Sequence, residues 1–437
     1  MKKNIRIGFT GPISEINFGD YAMFINNVYD IGIKNITIFS YNKEFSENII
    51  KDYFNGFNIS LVEVELLEKK YDEVKEDKKK SIPKVGILPF NHPTETPIDI
   101  LYRIKNLYEI RKYIKEIDLL IVSGGGYFNH LWNNSLWRSD MLKKIVAPMI
   151  IAKQFNKKII FTANSFGPFD QSEEFFNYLF NYLKNTTFAV RDRMYSRGYL
   201  ERINIESSQI KFLPDDLYII NEDIIKLPSK NNLDINRLGK YIAVEIYLSL
   251  DDIKKYISDI KRFSDNIYAR YGLSIVFIPF DFERGGMWQC DYLKENLKNF
   301  YFYDINKTGY MPIQDLYKII KNAEMVLCTR YHALVLSVGY DIPVVNIIKK
   351  VCDDNRYYFN KNYGLLEYAF DGLEFNEMDY IKIDFLETLK YIENNFYDII
   401  KKQKEIYKSN IYNYNKKNLK KIRKEYLELI KLEDKNG

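Results

Sequence analysis

Apolar positions along this chain come in short unbroken runs, separated by longer stretches in which they recur every three or four residues. The first kind reads as a strand buried on both faces of a parallel sheet, the second as a helix that covers it. Residues 5–10, 35–40, 61–66, 118–123, 158–163, 187–190 and 210–213 predict strands. Helices are predicted over about 21–29, 44–54, 98–114, 140–154 and 172–182, with a short one after Arg193. Strand then helix, repeated, means parallel pairing through right-handed crossovers. Polar residues with Pro, Ser, Asn and Gly fill 227–239, the composition of a linker. The pattern then restarts, with strands over 241–248, 273–279, 300–304, 325–328 and 344–347 and helices over 251–271, 287–296, 313–321 and 333–338. Beyond Asp384, the residues Phe385, Leu389, Ile392, Phe396 and Ile399 recur at steps of four and three, one apolar stripe of a helix. A second helix covers about 415–430. The expected fold class is α/β: a doubly wound domain over 1–225, a linker over 226–240, a second doubly wound domain over 241–380 and C-terminal helices over 381–437.

Composition narrows the class without naming a function. A hydrophobic content of 46% over 437 residues supplies packed cores. The net charge of +5 is modest, and its lysines alternate with Asp and Glu, a solvated surface that does not argue for nucleic acid. No apolar run approaches the roughly 20 residues that span a bilayer, and 5–10 reads as an ordinary strand with no signal-peptide core before it. The expected location is the cytoplasm, at the inner face of the membrane if the Lys-rich face of the 415–430 helix touches anionic lipid; a solvated packing helix is the plainer reading of that face. The charged run over 68–84 reads as an exposed connector. Cys290, Cys328 and Cys352 show no paired ligand spacing, and neither do His92, His130 and His332, so no metal site is expected.

The chemistry gathers at one joint. Met325 to Cys328 is a buried strand, Thr329, Arg330, Tyr331 and His332 follow at once, and Pro343 stops the next helix. A guanidinium and a titratable imidazole therefore stand where a strand's carboxyl end meets a helix N-terminus, the usual ligand crevice of an open α/β sheet. Free N–H groups and the helix dipole favour an anion there, and an arginine grips a carboxylate or phosphate in a fork. Gly19, the run Gly124, Gly125 and Gly126, Gly167, Arg191 and Asp215 also fall at predicted strand ends, in the first half. The triple glycine fails as a dinucleotide fingerprint because Tyr127, Phe128, Asn129 and His130 follow it with no third spaced glycine.

The ordered set Gly19-Asp20, Ser123 to Gly126 with Tyr127 after it, Phe166-Gly167-Pro168, Arg191-Asp192 with Ser196, Pro214-Asp215, and Arg330-Tyr331-His332 with Gly339 and Pro343 resembles the polysaccharide pyruvyl transferase family, over about residues 19–347. The resemblance implies two Rossmann-like domains facing across a cleft, as in glycosyltransferase fold B. It implies transfer of a pyruvyl group from phosphoenolpyruvate to a sugar of a cell-surface polysaccharide or its precursor, as a ketal, with no further cofactor. The sugar acceptor can be lipid-linked. His332, Arg330 and Arg191 are the implied catalytic residues. Gly19, Asp20, Gly124, Gly125, Gly126, Asn129, His130, Asp215, Lys349 and Lys350 are the implied substrate contacts. The chain departs from the family where Lys349 and Lys350 follow the strand directly, without the aromatic-then-lysine pattern, so which lysine acts stays open.

That chemistry suits the residues. Phosphoenolpyruvate carries two anionic groups, and its enol carbon must be protonated before a sugar hydroxyl attacks. A general acid titrating near neutrality fits, and Asp215, Asp216 or another carboxylate is the expected proton acceptor. Two other readings use the same fold: a nucleotide-sugar-dependent glycosyltransferase, and a non-catalytic binding protein.

Overall fold

The structure is a computed structural model that describes residues 5–14, 16–67, 95–135, 138–183, 186–230, 233, 237–283, 285–351 and 354–432. It divides into two compact units, Met1–Glu15 with Ile31–Leu213 and Leu429–Gly437, and Ile16–Asp30 with Pro214–Glu428.

Among its described residues the first unit holds nine strands: β1 (Ile7–Thr10), β2 (Asn35–Ser40), β3 (Asn58–Glu63), β4 (Leu119–Val122), β5 (Gly125–Phe128), β6 (Lys158–Phe161), β7 (Asn164–Phe166), β8 (Phe188–Val190) and β9 (Ile210–Phe212). They form a sheet in the order β3-β2-β1-β4-β6 and a second in the order β5-β7-β8-β9. Every pairing is parallel. Ile160 bridges Thr187 and the Phe161 N–H donates to the Thr187 carbonyl at 3.4 Å, so one sheet continues into the other. Where the sheets meet, Phe128, Phe161, Phe166, Phe180 and Phe188 pack together, with Phe128 and Phe166 stacked at 5.4 Å.

The second unit is built on one parallel sheet of β10 (Tyr241–Glu245), β11 (Ser274–Phe277), β12 (Phe300–Phe302), β13 (Met325–Cys328), β14 (Val344–Ile347) and β15 (Ile381–Lys382). The order is β12-β11-β10-β13-β14-β15. Succession runs outward from β10 on one side and from β13 on the other. The switch in strand order therefore falls between β10 and β13, in register Glu245 opposite Cys328. The helix Phe385–Lys408 packs its apolar stripe inward, Leu389, Ile392, Phe396 and Ile399 all being buried. Its Gln403 closes both backbone groups of Val344, accepting from N–H at 2.7 Å and donating to C=O at 2.9 Å. No helix among the described residues is long and apolar enough to cross a membrane.

The predicted strands at 35–40, 325–328 and 344–347 and helices at 287–296 and 313–321 coincide with the observed ones. Other expectations need correction. Gly125 and Gly126 open β5, and Asn164 to Phe166 form β7, where no strand was predicted. The helix expected over 98–114 is two, Pro97–Tyr102 and Leu107–Glu116, because Ile104 bridges Leu66 and the Arg103 carbonyl accepts from the Leu67 N–H at 2.8 Å. The helix Arg356–Ala369 was not anticipated. The division between units falls at Leu213 and Pro214, ahead of the predicted linker, because Pro214–Glu428 clusters with Ile16–Asp30, and the C-terminal helices are part of the second unit as far as Glu428. The most consequential difference concerns Ile16–Asp30, expected in the first domain and found in the second unit. The charged run over 68–84, His92, Cys352 and part of the predicted linker lie outside the described residues.

Candidate functional site

At the switch point of the six-stranded sheet, β13 ends in Cys328 and Arg330 caps the helix Tyr331–Gly339 with extended backbone. β10 ends there too, in a fully buried glutamate. Glu245 Oε2 accepts from the N–H of Thr329 at 3.1 Å and of Arg330 at 2.8 Å, and Oε1 lies 3.1 Å from Arg330 Nε as an ion pair. The other guanidinium nitrogens bond Asp281 and Asn17, and the plane lies 4.5 Å from the centre of the Tyr247 ring. Burial pushes the Glu245 carboxyl up, against the pull of Arg330 and the N–H groups. Burial opposes the Arg330 charge, but Asp281 and Glu245 outweigh it and hold its pKa above the ordinary value. Arg330 thus arrives already matched by two carboxylates and an amide. The sequence offered one clue to Glu245, a lone acid inside an apolar run; Asp281 and Asn17 carried none.

His332 stands two residues further along the joint, its side chain 10% exposed, with Nε2 3.9 Å from the buried Asp215 Oδ2. Asp215 is held by the Leu217 N–H, which donates to Oδ1 at 2.9 Å, and by its own N–H, directed at the Tyr368 hydroxyl at 3.3 Å. The imidazole also packs closely on Gly19, where a Cβ would fall 1.6 Å from Nδ1. No side chain fits there, so the first turn of the helix Phe18–Ile31 is glycine for the sake of the histidine. Gly339 does the same service at the far end of its helix, where a Cβ would meet the Tyr218 carbonyl at 2.2 Å. Asp20 accepts from Asn17 Nδ2 at 2.7 Å, which continues the chain from Arg330.

Two lysines adjoin this joint through its aromatic rings. Lys349 is exposed and lies 4.8 Å from the Tyr247 ring that Arg330 also faces. Lys350 is exposed. Lys361, which sequence reasoning passed over, is buried on the helix Arg356–Ala369, its ammonium 4.2, 4.4 and 5.4 Å from the rings of Tyr357, Tyr358 and Tyr331. Aromatic faces attract an ammonium at such distances. A pattern search misses this residue because it sits in mid-helix, away from any strand end.

The remaining candidates lie in the first unit. Arg191 follows β8 directly and is buried. Its Nε donates to Ser165 Oγ at 2.6 Å, and its N–H to the Asn164 carbonyl at 3.0 Å. Asp192 is buried, bonds Ser196 through its side chain and accepts the Ser196 N–H at 2.7 Å; burial pushes its carboxyl up despite those bonds. Asn129 caps the short helix after β5, accepting from the Trp132 N–H at 3.1 Å and donating to the Gly126 carbonyl at 2.8 Å. His130 Nδ1 lies 2.9 Å from the Pro168 carbonyl, which can only accept, so that nitrogen carries the proton. Gly124, Gly125 and Gly126 lead into and begin β5. Asn129 and His130 are therefore engaged in holding the β5 turn, an employment the sequence did not reveal. Asp216, the other expected proton acceptor, is bound by Arg423 at 2.6 Å. Burial pushes the Cys290 and Cys328 thiols up. Among the described residues no group of three or more His, Cys, Asp and Glu is placed to hold a metal ion.

The chain is similar in structure to an S. aureus MnaA–UDP complex, with a TM-score of 0.55, 10% identity and 97% of each chain covered. It is similar to a UDP-GlcNAc 2-epimerase from Neisseria meningitidis bound to UDP-GlcNAc, with a TM-score of 0.54 and 8% identity over 95% of this chain and 98% of that one. It is also similar to Anabaena Alr3699/HepE in complex with UDP and glucose, with a TM-score of 0.52 and 12% identity over 98% and 99%. These likenesses establish the fold, that of the fold-B glycosyltransferases and nucleotide-sugar epimerases. No curated protein matches the sequence. The profile described as "Polysaccharide pyruvyl transferase" matches residues 17–348, which begin at Asn17 and contain Asp215, Glu245, Arg330 and His332. Over well more than half its length, the chain belongs to the polysaccharide pyruvyl transferase family.

Proposed function

We propose that the protein transfers the pyruvyl group of phosphoenolpyruvate to a sugar of a polysaccharide or its precursor, forming a ketal on two hydroxyls. The observation that carries this reading is the pairing of His332 with buried Asp215 at the switch point between β10 and β13, within the residues that match the family. His332 donates a proton to the terminal enol carbon, which becomes a methyl group and leaves an oxocarbenium centre at the carbon bearing carboxylate and phosphate. One sugar hydroxyl adds there. Phosphate then departs with its bonding pair, and the second hydroxyl closes the ketal. One hydroxyl proton replaces the proton on His332, and the other leaves with phosphate. Asp215, 3.9 Å from Nε2, steadies the imidazolium and receives no proton from the sugar directly.

The donor's anionic groups meet the N-terminus of the helix Tyr331–Gly339, Lys349 and Lys361. Arg330 joins them by exchange. Glu245 is fully buried and stays, while Asp281 is 17% exposed and is the partner that a carboxylate or phosphate displaces. The acceptor can be lipid-linked, and the reaction is placed on the cytoplasmic side of the membrane, where phosphoenolpyruvate is made.

The test is phosphate release from phosphoenolpyruvate with a panel of lipid-linked and nucleotide-linked sugars, the product identified by its gain in mass. His332→Ala should lower turnover by about 10²–10⁴-fold, the usual worth of a general acid. His332→Gln keeps a hydrogen-bond donor but has no transferable proton and should be as poor. Near wild-type turnover in the Gln variant would overturn the acid role. Consumption of a uridine diphosphate sugar in place of phosphoenolpyruvate would overturn the reaction.

A further inference from the structure

Beyond residue 348, where the family match ends, the helix Asn410–Leu432 carries an arginine at its buried face. Arg423 Nη1 donates to Asp216 at 2.6 Å, Nε to Asp30 at 2.8 Å and Nη2 to the Asn27 amide oxygen at 2.9 Å. Asn27 Nδ2 returns to the second Asp216 oxygen at 2.8 Å, and Asn26 Nδ2 holds the Asp216 carbonyl at 2.6 Å. Asp30 also accepts from Asn221 at 2.8 Å. Burial works against the Arg423 charge, and Asp30 and Asp216 outweigh it. One guanidinium therefore ties two elements together. The first is the helix Phe18–Ile31, which carries Gly19. The second is the segment around Asp216, whose neighbour is Asp215. These are the two walls of His332: Gly19 against Nδ1, and Asp215 facing Nε2.

We infer that Arg423 is a positioning residue for His332, setting the imidazole between Gly19 and Asp215 without touching it. The inference rests on the reading of His332 as the acid of the proposed transfer, but its geometry can be tested without any donor. A buried arginine that loses its role leaves two carboxylates facing each other, and a half-satisfied buried network relaxes away from its native geometry. The elements it tied then shift relative to the ring, and a misplacement of about 1 Å at a reacting group can cost on the order of 10²-fold in rate.

The experiment uses the full chain labelled with ¹⁵N. It contains three histidines, so the imidazole resonances are few. His332→Gln and His130→Gln assign the two that matter, and His130, in the first unit, serves as the internal control. Arg423→Met should move the His332 resonances while leaving those of His130 in place, and should lower kcat by roughly 10–100-fold with the KM for phosphoenolpyruvate nearly unchanged. Arg423→Lys, which restores a cation, should recover part of both. If Arg423→Met does not fold, Asp216→Asn is read instead: it keeps the shape, removes one charge of the clip and should shift His332 in the same sense. A folded Arg423→Met or Asp216→Asn protein with unmoved His332 resonances overturns the inference. Moved resonances in a protein that never consumes phosphoenolpyruvate would overturn the proposed reaction and leave the positioning role standing.

Discussion

Arg191 and Arg330 each stand just beyond a strand, β8 in the first unit and β13 in the second, and the strand paired with each decides what the guanidinium meets. β7 pairs with β8 with Asn164 opposite Val190, which brings Ser165 to Arg191. β10 pairs with β13 with Glu245 opposite Cys328, which brings a buried carboxylate to Arg330, and Asp281 adds a second. Ser165 offers Arg191 Nε a hydroxyl, whereas Arg330 Nε faces the buried Glu245 carboxylate. The same residue after the same kind of strand thus turns its Nε to a neutral acceptor in one place and to a charged one in the other. What teaches the difference is register: a residue's employment is set by its neighbour across the ladder as much as by its own position.

Removing each arginine probes that contrast most severely. Arg330→Met should cost about 3–5 kcal/mol in urea unfolding, because it strands buried carboxylates. Arg191→Met should cost about 1.5–3 kcal/mol, the worth of hydrogen bonds to a charged group. Equal costs would break the comparison. Combining Arg330→Met with Glu245→Gln should return part of the loss, since the uncompensated charge goes with it.

A smaller effect separates stability from chemistry at the same joint. Gly19→Ala places a methyl group where the imidazole lies. Overpacking of this kind costs about 1–3 kcal/mol, while turnover should fall on the order of 10²-fold because the acid is displaced. Unaltered turnover in a folded Gly19→Ala protein would show that the ring can sit elsewhere and still work.

The mildest change concerns exchange. Asp281→Asn removes the more exposed competitor for Arg330, and the KM for phosphoenolpyruvate should fall a few-fold, as removing a repelling charge at a binding surface does. A KM that rises would mean that Arg330 needs Asp281 to hold its pose and does not trade it for the donor.

The sequence made the joint itself legible. Met325–Cys328 and Val344–Ile347 are unbroken apolar runs, and Pro343 separates helix from strand, so both strands could be placed to the residue. The proximity of Arg330 and His332 to a helix N-terminus followed from that alone. Their partners did not. Asn17 lies 313 residues from Arg330, and Glu245 lies 85; no local periodicity encodes such distances. Gly19 was flagged as a strand-end glycine in the first domain, whereas it packs on a histidine of the second unit, because an apolar helical pattern does not say which sheet the helix will cover. For Asn129 and His130, which the resemblance implies as substrate contacts, the sequence did not show the bonds they make to the Trp132 N–H and the Pro168 carbonyl.

The placement of Ile16–Asp30 in the second unit has a consequence for the birth of the protein. This helix is made early, yet the segment that binds its Asn26 lies 190 residues further on, and Arg423, which holds its Asn27, lies 396 further. At about 5–20 residues per second, the wait for the latter is roughly 20–80 s. Phe18 and Tyr21, both buried in the finished fold, meet Phe280, Tyr310 and the Met311 carbonyl earlier, but still about 260–290 residues after they are made. Neither unit is a contiguous stretch of chain, so a ribosome cannot deliver one finished and then begin the other. Cutting the gene between Leu213 and Pro214 would leave each fragment lacking a part of its own unit, and a growing chain carries an apolar helix without its aromatic partners until Phe280 and Tyr310 are made.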